Sequence, residues 1–204
     1  MHPILSVLLA AADGEFPPVD GGVTVLPPLT RGMEAVVAFT GHSFVATRRA
    51  RDEVLARGPD GYGSSLAPDF LRWLAGPRGT IGVIDATLVA RGTGGGSLPR
   101  RPDRDDHPRV LHARACRDAV VVHGDERGLI TLARGLGGRR EMSIETDPSA
   151  GVGHGRALIE EALALTPAGE PLFAAVAPGN ARSLRVFLAA GFVPIGSEVL
   201  IHPA

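Results

Sequence analysis

Apolar positions along the 204 residues change period several times, and each change predicts an element. Prolines and glycines at Pro17-Pro18, Gly21-Gly22 and Pro27-Pro28 leave room for one short strand, Val23 to Leu26. Two β-branched and aromatic runs, Val36-Val37-Ala38-Phe39 and Ser43-Phe44-Val45-Ala46, flank Gly41-His42 and read as a hairpin or two consecutive strands. Arg51 to Ala56 and Pro68 to Ala75 read as helices, the second with Asp69 in its first turn and Leu66, Phe70, Leu71 and Leu74 forming an apolar side around Trp73. The cationic cluster Arg48-Arg49-Ala50-Arg51 reads as a solvated helix start. Thr80 to Val89 is apolar and β-branched enough for a buried strand or a strand-like connection. Arg91 to Asp106 breaks all periodicity with glycines, prolines and charges and reads as a loop; its Gly92-Thr93-Gly94-Gly95-Gly96 is not read as a phosphate loop, because no helix follows within reach.

The second half is more regular. Pro108 to Cys116 predicts a helix, and Asp118 to His123 and Gly128 to Ala133 predict strands joined by a turn at Gly124 to Arg127. A second turn at Gly135 to Gly138 leads into a strand from Arg140 to Thr146, which completes an antiparallel meander. Alternation on that last strand puts Met142 and Ile144 on one face and Glu141, Ser143 and Glu145 on the other. A helix to about Leu165 follows, with Leu158, Ile159, Ala162, Leu163 and Leu165 inward and Arg156, Glu160 and Glu161 outward. A strand at Pro171 to Val176, a helix opened by Asn180 that buries Leu184, Phe187 and Leu188, a turn at Gly191 and strand material from Phe192 to Ile201 complete the pattern. At the other end, Ile4 to Ala12 is apolar with no positive flank beyond His2, and reads as a docked or frayed helix in preference to a signal peptide.

Between the strand ending at Thr146 and the helix to Leu165 stands Gly151-Val152-Gly153-His154-Gly155-Arg156-Ala157-Leu158. A strand, a glycine turn and a helix start make an anion cradle, because glycine lets the backbone approach a phosphate and the helix's first N–H groups are free to bind it. A nucleoside-triphosphate loop needs Gly-Lys-Ser/Thr, and the chain has no lysine. A dinucleotide fingerprint needs its third glycine three places after the second and an acid at the end of the next strand; Gly155 follows Gly153 by two, and Pro171 to Val176 ends without one. The stretch instead resembles the pyrophosphate loop of the GNAT N-acetyltransferases, Arg/Gln-x-x-Gly-x-Gly/Ala. Ala174 to Phe192 resembles that family's second signature, a strand followed by Asn-x-x-Ser-Leu-x-x-aromatic-x-x-x-Gly-Phe, carried here by Asn180, Ser183, Leu184, Phe187, Gly191 and Phe192. Asn180 is the only asparagine in the chain; it could cap its helix as well as contact a ligand.

The resemblance implies a GNAT acyl-CoA acyltransferase fold, α/β with a mixed, largely antiparallel central sheet flanked by helices. It implies one GNAT-like domain over residues 1–204, with 1–116 a divergent part shaping the acceptor site and 117–204 the acetyl-CoA-binding core. Acetyl-CoA would be the acetyl donor, passed directly to an amine without a metal. Ile144, Glu145, Thr146, Gly151, Val152, Gly153, His154, Gly155, Arg156, Asn180, Ser183 and Phe187 would contact it. Its pantetheine arm would pair with the Arg140 to Thr146 backbone, which in the family splays from the next strand. The base that takes the ammonium proton would be Glu145 first, Glu141 second and Glu198 third. Two features depart from the family pattern: Ser149-Ala150 replace the loop's entrance Arg or Gln, leaving phosphate binding to backbone N–H groups and Arg156, and Phe187 stands where many members carry a tyrosine acid. Phe187 keeps open a second class, an acetyl-CoA-binding sensor or scaffold without turnover.

Composition narrows the partners. A net charge of -1 and a pI near 6.7 give no basic face for nucleic acid or anionic membrane. No run reaches the ~18 apolar residues of a membrane span. Cys116 is the single cysteine, which fits a reducing compartment, and a cytoplasmic location is expected. His107, His112 and His123 do not have metal-ligand spacing. The expected partner is an amine-bearing acceptor, small molecule or protein, with a homodimer left open.

Overall fold

A computed structural model of the chain describes residues 1–147, 149 and 153–204. In chain order its elements are helix α1 (Pro3–Ala12), strands β1 (Gly22–Leu26), β2 (Glu34–Phe39) and β3 (His42–Ala46), helices α2 (Arg51–Leu55) and α3 (Pro68–Ala75), strands β4 (Thr80–Ile81) and β5 (Asp85–Arg91), helix α4 (Pro108–Cys116), strands β6 (Asp118–Asp125), β7 (Gly128–Arg134) and β8 (Arg140–Thr146), helix α5 (His154–Leu165), strand β9 (Pro171–Val176), helix α6 (Ala181–Ala189) and strand β10 (Val193–His202). They fall into two compact units, Met1–Thr87 with Ile195–Ala204, and Leu88–Pro194. Each is an α/β layer structure on a mixed, mostly antiparallel sheet. Among the described residues no helix is long and apolar enough to cross a membrane.

In the first unit the strand order is β1-β3-β2-β10, with β4 also on β10. β1 runs parallel to β3 and the other pairings are antiparallel, with Val36 opposite Val45 on one side and Val199 on the other. Those three valines form a core with Val54 of α2 and Phe70, Leu71 and Leu74 of α3, the apolar side that the spacing predicts. The first helix docks: Ile4, Leu8 and Ala11 are buried, and His2 caps it, accepting from the Ile4 N–H at 3.2 Å while its other ring nitrogen meets the Pro27 carbonyl at 2.8 Å. Arg49 corrects the reading of its cluster as merely solvated. Its guanidinium lies 4.2 Å from the Trp73 ring centroid and donates to the Trp73 carbonyl at 2.7 Å, with Arg57 at 4.9 Å from the same ring. Thr80 to Val89 is two strands, not one, because Gly82 turns its N–H to the Leu200 carbonyl at 2.8 Å and Val83 and Ile84 swing out to solvent.

The second unit orders its strands β5-β9-β8-β7-β6. β6, β7 and β8 form the predicted antiparallel meander, with Ile130 opposite both His123 and Ile144. One face is covered by α4 through Val110, Val122 and Leu129. α5 buries Leu158, Ile159, Ala162 and Leu163, and α6 fully buries only Phe187, since Leu188 is 44% exposed. The glycine segment after β5 is ordered by the end of α5. The N–H groups of Thr93, Gly94 and Gly96 donate to the carbonyls of Leu163, Thr166 and Ala164 at 2.9 to 3.0 Å, which satisfies acceptors that a helix C-terminus leaves over. A Cβ on Gly96 would stand 2.6 Å from Leu165 N, so the close approach requires glycine there.

In the first unit Gly61 has the same role against β3. A Cβ on it would lie 2.3 Å from the Gly41 carbonyl oxygen and 2.7 Å from His42 N, both backbone atoms that no rotamer can move. Gly61→Ala is therefore expected to cost about 1 to 3 kcal/mol, read as a lowered urea midpoint with an unchanged m-value.

Candidate functional site

Strand β8 and the start of α5 gather most of the residues singled out from sequence. β8 lies parallel to β9, and their ladder is a single position, Glu141 opposite Phe173. From Met142 to Thr146 the strand keeps its antiparallel partner β7 on one side, while β9 is off its other side. Parallel strands that meet at one residue and then part leave backbone N–H and C=O groups without a ladder partner, available to an extended ligand.

Gly153 holds the N-cap of α5 at φ +95°, a left-handed conformation that favours glycine, and an added Cβ would meet open space. Two positions later α5 passes the end of β8 and the side of α6: a Cβ on Gly155 would lie 3.5 Å from Thr146 Cγ2 and 3.6 Å from Val186 Cγ1. Thr146, Gly155 and α6 thus meet around the first turn of α5. His154 Nδ1 is buried there without a hydrogen-bond partner. Gly151 and Val152 lie outside the described residues.

Arg156 is on the surface and donates to Glu160 at 2.8 Å. Asn180 does cap α6, its side-chain oxygen accepting from Ser183 N–H at 3.1 Å, so one residue of the second signature orders another. Phe187 is 4% exposed and packs edge-on against Phe192 with centroids 5.0 Å apart. It is a core residue, and its side chain has no acidic proton.

The two carboxylates of β8 share a face yet differ in kind. Glu145 is partly exposed and accepts from Arg109 Nε of α4 at 2.9 Å. Between the two, Ser143 hydrogen-bonds Thr131 of β7 at 2.7 Å. Glu141 is 4% exposed and is held by Arg139 at 2.8 Å and Arg117 at 2.7 Å. Burial alone would push its carboxyl up, but the charges of Arg139 and Arg117, the Arg139 hydrogen bond and the Leu136 N–H outweigh it and hold the group below the carboxylate range. Glu141 is therefore corrected from candidate base to structural anion. A carboxylate held between two guanidiniums cannot accept an ammonium's proton. Glu198, the third candidate, is buried in the first unit and accepts from Thr87 Oγ1 at 2.6 Å.

Sequence reasoning missed the arginines. Arg109 reaches Glu145, and Arg127 ties Asp125 to Glu161 of α5 at 3.3 Å. Arg104 adds its charge at Asp147, whose carboxyl is lowered chiefly by the Ser149 hydroxyl and N–H. The i, i+2 spacings of Arg139 to Glu141 and Asp125 to Arg127 were visible, but Arg109 and Glu145 meet only through the fold. A cavity of about 330 Å³ beside β6 is lined by Arg100, Arg101, Asp105, Arg114 and Val120 to Val122; Asp105 is taken by Arg114, so it offers no free base. Among the described residues no group of His, Cys, Asp and Glu converges to hold a metal ion. Compared with known proteins, the chain matches no family model, and a search of curated proteins gives no match.

The Glu141 cluster makes a stability prediction. Glu141→Gln leaves the buried Arg139 and the half-buried Arg117 without their counter-charge, which is expected to cost about 3 to 5 kcal/mol in chemical denaturation. Because the folded carboxyl titrates lower than the unfolded one, its contribution is complete at neutral pH and is lost as pH falls through the folded value. The gap between wild type and variant should be flat near neutrality and should narrow only below about pH 4.

Proposed function

We propose that the chain is an acetyl-CoA-dependent N-acetyltransferase acting on an amine, with a GNAT-like core built on β8, α5, β9 and α6. The observation that carries the reading is the parting of β8 from β9 beyond Glu141 and Phe173, directly ahead of a helix that opens on a left-handed glycine. A parted strand offers its backbone to a pantetheine arm, and the first turn of α5 offers N–H groups and dipole to a pyrophosphate. The open space at Gly153 suits a close backbone approach.

In this reading Ile144, Glu145 and Thr146 supply backbone to the arm and to the thioester oxygen, and Arg156 turns from Glu160 to a phosphate. Asn180 orders the α6 turn beside Ser183. Glu145 takes the proton of the acceptor's ammonium, so that the free amine attacks the thioester carbon. The Arg109 contact keeps that carboxylate aimed, and it has to open for the proton to pass. With Phe187 in the core, the thiolate leaves and takes its proton from water, which a pKa near ~8.5 permits. The alternative, an acetyl-CoA-binding sensor or scaffold, draws on Phe187 and on the Arg109 pairing of Glu145.

Acetyl-CoA at 100 times its dissociation constant should stabilise the protein by about 2.7 kcal/mol, seen as a raised Tm that NAD and ATP do not reproduce. Gly153→Asp should abolish that shift in a folded protein, since it adds both a carboxylate and left-handed strain. Glu145→Gln should leave the shift intact and lower turnover by ~10²- to 10⁴-fold, partly recovered as pH rises toward the acceptor's own pKa. No shift with acetyl-CoA would remove the reading, and a shift without thiol release on a broad amine panel would turn it to the sensor.

A further inference from the structure

The first unit carries three side chains hydrogen-bonded in series, none of them singled out by the sequence. Asp20 Oδ1 lies 2.8 Å from His42 Nδ1, and His42 Nε2 lies 2.9 Å from Thr24 Oγ1. A carboxylate can only accept, so Nδ1 carries a proton, and in the neutral ring Nε2 then keeps its lone pair for the threonine hydroxyl. Gly22 makes room for the arrangement: a Cβ there would stand 2.7 Å from Asp20 Oδ1 and 3.2 Å from His42 Cε1, and its N–H donates to the same aspartate oxygen at 2.7 Å. The imidazole is buried beside the Phe44 ring, 5.0 Å between centroids, which restrains its tilt. The His42 hydrogen bond, then the Gly22 N–H, hold the Asp20 carboxyl below its ordinary value.

We propose that Thr24 is a nucleophile activated by His42, with Asp20 as positioning residue, and that this site cleaves small apolar carboxylic esters. A nucleophile, a base within hydrogen-bonding reach and a third group orienting the base are the parts such chemistry needs.

The strand supplies the fourth part. β1 is the outer strand of its unit's sheet, and the Leu26 carbonyl accepts from Thr47 N–H of the β3 side. Alternate residues face alternate ways, so Leu26 and Thr24 turn their backbone groups inward while the Val25 N–H points off the sheet edge. That N–H faces away from β3, the strand paired with β1. It adjoins the Thr24 nucleophile, where an oxyanion would form. The Val23 and Val25 side chains pack toward Val54, which leaves Thr24 on the opposite face with His42 and Phe44.

The surroundings set the substrate class. Phe16 and Val19, on the loop that carries Asp20, and Tyr62, on the loop after α2, are 54%, 65% and 69% exposed. Phe16 packs on Phe39, Val19 covers Gly41, and the Tyr62 ring lies 3.1 Å from where a Gly21 Cβ would stand. In the reaction His42 Nε2 takes the Thr24 proton as Oγ1 bonds to the ester carbon. The ester C–O bond then breaks, and His42 returns the proton to the departing alkoxide. Water, deprotonated by His42 in turn, adds to the acyl carbon; the bond from that carbon to Thr24 Oγ1 breaks, His42 returns the proton to Oγ1, and the acid is released.

The test uses the full chain with p-nitrophenyl butyrate and a fluorophosphonate, independently of any acetyl-CoA binding. Expected are hydrolysis above background, a covalent adduct that peptide mass analysis places on Thr24, retention of hydrolysis in Thr24→Ser within about tenfold, and loss of ~10²-fold or more in the isosteric Thr24→Val. Asp20→Asn should lower kcat with KM unchanged. A wild-type protein that takes no label at Thr24 and hydrolyses the ester no faster than Thr24→Val overturns the proposal, and the labelling arm needs no variant to fold.

Discussion

The second unit depends on one buried carboxylate. Glu141 is where β8 touches β9, it sits opposite Phe173, and the Arg139 guanidinium that grips it also lies 5.2 Å from the Phe173 ring centroid. Three charges in a dry site are costly one by one and tolerable only together, so the cluster resists partial opening. The joint between the two strands is thereby fixed while everything beyond it is free to part. The same residue that is unusable as a base marks the last position at which β8 and β9 are paired.

The helices and strands of residues 108–202 were legible because glycine and proline punctuate clean periods there. The bounds Pro108–Cys116, Arg140–Thr146 and Pro171–Val176 coincide with those the pattern predicts. Alternation also put Glu141 and Glu145 correctly on one face. It could not tell that α4 covers this face and brings in Arg109 and Arg117, since pattern reports which side a residue takes and is silent on what arrives there. Arg49 was misread for a related reason: an arginine run looks solvated until an aromatic ring from a distant helix lies under it. The glycines at 92 to 96 looked like an unstructured loop because their hydrogen-bond partners belong to α5, some seventy residues on.

The first unit yields less to pattern than the second. Its strands were visible, but Asp20, Thr24 and His42 were not, being two strand positions and a loop residue with no shared motif. A parallel register joins them: Gly22 stands opposite His42, and the absent side chain at Gly22 is the space the ring fills. Such a constellation exists only once the chain is folded.

That unit is also discontinuous. β2 is completed by β10, with Val36 against Val199, so the chain must return to its own beginning after building everything between. During synthesis, β2 emerges early and waits as an open edge while Leu88 to Pro194 is made. The burden on the cell is one of timing: residues 1–87, produced alone or stalled, present an unpaired hydrophobic strand to other copies. Aggregation of nascent or truncated chains, more than loss of melting temperature, is the failure to which this connectivity exposes the protein.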